Sequence, residues 1–197
     1  MIFNYPEPKS GRRHGPANYT AVASYRPWLR DEFEFRCVYC LKRESWGQVR
    51  GEFDADHFLP QSLNPELALQ YENLVYSCRG CNLVKLDQKV ANPVEWLASQ
   101  KIRVSASGSL SSDDLETQRL IRQLDLNSPQ LIQWRLMWLR IVELAALHDS
   151  PLHHQLVGYP SDLPDLSRLR PPLNRRPEGV SESASARRQR GELPAAY

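Results

Sequence analysis

No apolar run in the 197-residue sequence approaches the roughly 18 residues that a membrane helix requires, so no membrane role is expected. The opening Met1-Ile2-Phe3-Asn4-Tyr5-Pro6 lacks the basic start and apolar stretch of a secretory signal, which makes the cytoplasm the expected location. Strong charge of either sign is also missing. The net charge is +2, so any attraction for phosphate must come from local patches and not from overall balance. Nor is any cysteine left over, because the four fall into two pairs. What is present is sufficient for a folded protein: 41% apolar residues and five tryptophans, over a length that suits one core with appendages.

Residues 1–18 carry Pro6, Pro8, Gly11, Gly15 and Pro16 among basic side chains, a composition that resists regular structure and predicts a flexible arm. From Tyr19 to Arg36, Trp28, Leu29, Phe33 and Phe35 suggest a helix with Pro27 in its first turn. Between Arg50 and Phe58, Phe53, Ala55 and His57 alternate with Glu52, Asp54 and Asp56, the period of a strand that Pro60 ends. After a long connection, Asn73-Leu74-Val75-Tyr76-Ser77 reads as a second, antiparallel strand. Cys78 to Cys81 then reads as a tight turn, with a helix beginning at Asn82. Ser111-Ser112-Asp113-Asp114 precedes a helix through Leu115, Leu120, Ile121 and Leu124. A further helix spans about 129–147, apolar on most faces and so expected to be buried or to dock a partner. Prolines, serines and arginines dominate after Pro160, and disorder is expected there. The reading is therefore α+β, with an arm at 1–18, a central module at 19–100, a helical extension at 101–158 and a disordered basic tail at 159–197.

Cys37-Val38-Tyr39-Cys40 and Cys78-Arg79-Gly80-Cys81 are two C-x-x-C knuckles, each able to offer two thiolates to one tetrahedral ion. A thioredoxin-type redox pair would come singly, and unconnected core cysteines have no reason to share this spacing. Structural zinc is the expectation. Four sulfur ligands leave no position for water, so catalysis must lie elsewhere.

Between the knuckles stand Asp54-Ala55-Asp56-His57-Phe58-Leu59-Pro60, then Asn73-Leu74-Val75; directly after the second comes Asn82-Leu83-Val84-Lys85. Over about residues 36–86 this resembles the HNH nucleases, also called His-Me finger or ββα-metal nucleases, in the zinc-knuckle branch. Asn82 stands where the commonest pattern has a final histidine. The Asp-x-Asp-His start and the spacing from Asn73 to Asn82 are similar to the HNH domain of RNA-guided CRISPR effector nucleases. The resemblance implies a ββα-metal core stapled by a four-cysteine zinc site and flanked by helices. It implies that His57 activates water, that Asp56 and Asn82 bind a catalytic Mg²⁺ or Mn²⁺, and that Asn73 braces the loop and orients His57. Such chemistry is physically coherent: one imidazole supplies the base and one hard cation on oxygen ligands neutralises the leaving oxygen.

Taken singly, these residues have plainer readings, as surface histidine, turn or cap asparagines, and exposed strand acids. Their order around two zinc knuckles favours the site. Asp54 has no clear role, and Arg79 and Lys85 are candidates for phosphate contact or for solvated surface charge. Leu124-Asp125-Leu126-Asn127 with Leu131 and Arg135 is weakly similar to bacterial stand-alone HNH proteins, some associated with phage defence. The expected function is hydrolysis of DNA, with RNA as an alternative substrate. The rival is a zinc-stapled nucleic-acid-binding or protein-docking module without catalysis. A third reading subordinates the nuclease to a protein partner such as a regulatory ATPase.

Overall fold

The computed structural model describes residues 2–3, 11–46, 52–94 and 102–197. Its strands and helices are β1 (Pro16–Ala17), α1 (Arg26–Glu32), β2 (Phe53–His57), β3 (Leu74–Cys78), α2 (Arg79–Lys85), β4 (Arg103–Val104), β5 (Leu110–Ser111), α3 (Leu115–Gln123), α4 (Pro129–His148), α5 (Ser150–Val157), β6 (Leu173–Asn174) and α6 (Ala184–Gln189). Among the described residues no helix is long and apolar enough to cross a membrane.

The alternation around Phe53 does form a strand. β2 pairs antiparallel with β3, Phe53 opposite Cys78 and His57 opposite Leu74. All five residues of β3 are buried, so this strand is the floor of the central unit. α2 begins at Arg79, directly after the strand, and not at Asn82 as the sequence suggests. The tight turn expected at Cys78–Cys81 is thus the first turn of a helix, which places Cys78 at its cap and Cys81 inside it. The helix expected over 19–36 shrinks to α1, with a single 3-10 turn at Val22–Tyr25 before it.

Downstream, Asp114 accepts from the Thr117 amide at 3.0 Å and caps α3, as its sequence position implies. α4 is only partly covered. Trp138 stacks on Trp46 with ring centres 4.7 Å apart, and Trp134 meets both Trp46 and Phe3. Met137, Leu144 and Leu147 on the same helix are exposed. Arg135, buried, donates to the Gly108 carbonyl at 2.7 Å and to the Leu126 carbonyl, which ties α4 to the β4–β5 hairpin and the α3–α4 turn.

The expectation of a flexible arm falls partly on residues 1 and 4–10, outside the described residues. The rest of the arm is docked: Phe3 is buried and β1 pairs with β6. The tail is likewise ordered, contrary to its composition. Asp31, buried beside His14, accepts from the Ala184 amide at 2.7 Å, and Tyr197 is buried over the guanidinium groups of Arg36 and Arg43. Gly179 lies so close to the arm that a Cβ there would sit 2.1 Å from the Arg13 carbonyl oxygen, so only glycine fits. A low-hydropathy segment can order when its few apolar residues and its backbone donors find prepared partners, and here they lie on α1 and on the strand-like segment around Arg36. The tail arginines are engaged too: Arg188 donates to Pro160 and Ser161, and Arg190 pairs with Glu192.

Candidate functional site

The zinc-site expectation can be tested on distance. Tetrahedral coordination at about 2.3 Å per bond separates the sulfurs by about 3.8 Å. Cys40 and Cys78 lie 3.7 Å apart at Sγ, and all four buried cysteines have their sulfurs within 4.8 Å of one another. The donors fit one zinc ion. Burial pushes the Cys37 thiol up, and hydrogen bonds among the four cysteines push Cys81 up and pull Cys78 down. The first knuckle is held by backbone bonds, Cys37 to Lys42 and Val38 to Tyr76 across to β3.

A second site lies at the open end of the β2–β3 pair. There a cavity of about 530 Å³ is lined by Ala55, Asp56, His57, Pro60, Gln61, Ser62, Asn82, Lys85, Leu86 and Asp87. β2 ends at His57, which resolves how successive strand residues border one space. The imidazole Nε2 lies 2.8 Å from the Ala68 carbonyl oxygen. A carbonyl only accepts, so Nε2 carries the hydrogen and Nδ1 is left as the basic nitrogen. This is the arrangement a general base needs.

Asn73 bonds the backbone on both sides of the connection that carries that carbonyl. Its side-chain oxygen accepts from the Leu59 amide and its nitrogen donates to the Leu59 and Leu67 carbonyls, closing the loop whose next residue is Ala68. These bonds join the end of β2 to the segment before β3. Asn73 makes no direct bond to His57 among these.

Asp56 is buried, with both oxygens occupied. Tyr39 donates to Oδ2 at 2.8 Å, and the Lys85 ammonium lies 3.3 Å from Oδ1. Burial pushes the Asp56 carboxyl above its ordinary value, against the opposing pull of Lys85 and Tyr39. A carboxylate offers about four lone-pair positions, so two contacts leave capacity for an ion. Asn82, half-buried on α2, borders the same cavity. A carboxylate and an amide oxygen are hard donors of the kind that suit Mg²⁺ or Mn²⁺.

Lys85, a candidate for phosphate contact or solvated charge, is buried at 1% exposure against Asp56 on the cavity lining, so it is not a solvated surface charge. Arg79 is exposed and contributes nothing to the cavity lining. Asp54 is exposed and bonds its neighbour's amide, Ala55, away from the site. Nothing in the sequence points to Tyr39 or to the Ala68 carbonyl. Tyr39 is 17 positions from Asp56, and a C-x-x-C spacing does not say where the intervening side chain points.

No curated protein and no solved structure matches the chain. Residues 37–88, which include both knuckles, His57, Asn73 and Asn82, match the family model described as HNH endonuclease.

Proposed function

We propose that the protein is a divalent-metal-dependent endonuclease that hydrolyses DNA phosphodiesters. The observation that carries the reading is the His57 ring, fixed through Nε2 to Ala68 and so basic at Nδ1, on one cavity with Asp56 and Asn82. His57 Nδ1 takes a proton from water as that water's oxygen attacks phosphorus. The bond to the 3′ oxygen breaks, leaving a 5′-phosphate, and the 3′ oxygen takes a proton from solvent to become a 3′-hydroxyl. Asp56 and Asn82 would hold a divalent ion, whose chemistry there would be to neutralise charge on the departing oxygen. Asn73 keeps the Ala68 carbonyl in place, so the imidazole does not have to be ordered during the reaction.

One observation favours the rival reading of a binding module without catalysis: the protein itself satisfies both oxygens of Asp56, by Tyr39 and Lys85. A cleavage assay separates the two. Plasmid, single-stranded DNA and RNA are incubated with Mg²⁺ or Mn²⁺, wild type beside His57→Ala. The expected outcome is metal-dependent DNA cleavage that falls by about 10²- to 10⁴-fold in the variant, the usual contribution of a positioned base. Zinc content and thermal unfolding should stay near wild type. Absence of cleavage by wild type with either ion would leave the binding module, and cleavage of RNA alone would overturn the choice of DNA.

A further inference from the structure

We infer that Tyr39 is a positioning residue through which the zinc knuckle holds the catalytic carboxylate, Asp56, ready for its divalent ion. The inference rests on the nuclease reading and deepens it by linking the two metal sites. Tyr39 stands between Cys37 and Cys40, so binding of both sulfurs to one ion pins its backbone on either side. The neighbouring Val38 amide donates to the Tyr76 carbonyl at 2.9 Å, which fixes the knuckle to β3. From that anchored position the phenol reaches Asp56 Oδ2 at 2.8 Å, and both side chains are buried. Lys85, whose ammonium sits at Oδ1, comes from α2, and that helix also carries Asn82 and the second knuckle's Cys81. Asp56 is therefore gripped on one side from the first knuckle and on the other from the helix that begins at the second.

A ligand held this way does not spend binding energy on being ordered. Loss of such a supporting bond typically weakens metal affinity by about 10- to 100-fold. The role is distinct from folding because Tyr39→Phe keeps the ring and removes only the hydroxyl. Tyr76 is the matched control: its buried hydroxyl bonds Glu44, so Tyr76→Phe deletes a comparable hydrogen bond that does not touch Asp56.

The test uses the zinc-loaded full chain. Mn²⁺ binding is measured by electron paramagnetic resonance for wild type, Tyr39→Phe and Tyr76→Phe, with zinc content and melting temperature recorded for each. The half-saturating Mn²⁺ concentration for cleavage is measured in parallel. The expected result is one zinc per chain in all three and Mn²⁺ binding about 10- to 100-fold weaker in Tyr39→Phe alone, by the outer-shell rule. Cleavage by that variant should recover at high Mn²⁺. Equal Mn²⁺ affinity in wild type and Tyr39→Phe would overturn the inference while leaving the nuclease reading intact. Equal weakening in both variants, or loss of zinc from Tyr39→Phe, would also overturn it, assigning the hydroxyl to the fold. A wild type that bound no Mn²⁺ would remove the Asp56 ion, and the inference with it.

Discussion

Asn82 is the residue whose role separates most clearly by chemistry. As a ligand it offers an amide oxygen suited to Mg²⁺, whereas an imidazole nitrogen favours later transition metals. Asn82→His is expected to keep the fold, since the side chain is half-buried at the cavity edge, and to shift the preferred ion from Mg²⁺ towards Mn²⁺, Co²⁺ or Ni²⁺. Asn82→Ala should lower activity with every ion. Rate measured against metal concentration checks both, and an unchanged half-saturating Mg²⁺ concentration in the two variants would remove Asn82 from the ligand set. Lys85 shows a different lesson at the same scale. A lysine near a candidate phosphate site invites a contact with substrate, yet burial leaves its charge no solvent, and Asp56 supplies the counter-charge.

At the level of elements, the decisive unit is β2, β3 and α2 in succession, with the knuckles at its edges. β3 runs straight into α2, so Cys78 and Cys81 meet Cys37 and Cys40 only if strand, helix and first knuckle are all in place. Metal affinity here is accordingly also folding free energy. Cys78→Ser is expected to release the ion and unfold the central unit, with zinc falling from about one per chain, by the four-ligand rule, to near none in elemental analysis. Circular dichroism of the zinc-free variant matching wild type would contradict this. α4 illustrates how an element's type can be legible while its surroundings are not. Its helical span follows from the apolar run behind Ser128 and Pro129, but which side is covered depends on Trp46 and Phe3, supplied by distant segments.

For the whole molecule, the arm and the tail change the picture most. Residues 175–197 contribute the Ala184 amide to Asp31, the Tyr197 ring to Arg36 and Arg43, and Gly179 to the tight approach at Arg13. Removing them would uncover buried cations and strip a bond from a buried carboxylate. Full burial of a large side chain is worth about 1.5 to 3 kcal/mol, and each kcal/mol moves the melting temperature of a chain this size by about 2 to 4 °C. Deletion of 175–197 is therefore expected to lower the melting temperature by on the order of 10 °C, read by calorimetry. A melting temperature equal to that of the full chain would mean that the tail contributes no stability.

The chemistry on offer is legible along the chain: two C-x-x-C pairs, an Asp56–His57 strand end before Pro60, and Asn73 and Asn82 at a family's spacing. These are local features, set by spacing and by period-two alternation, and local patterns survive in a linear string. It takes the fold to show that Tyr39 reaches Asp56, that the Ala68 carbonyl assigns the proton on His57, that Lys85 faces inwards, and that a proline- and arginine-rich tail packs on the core. Each depends on a partner 11 to 153 residues away, reached through backbone turns that composition does not encode. Where a polar side chain is buried, its meaning lies in the partner it finds, and that partner is a property of the fold.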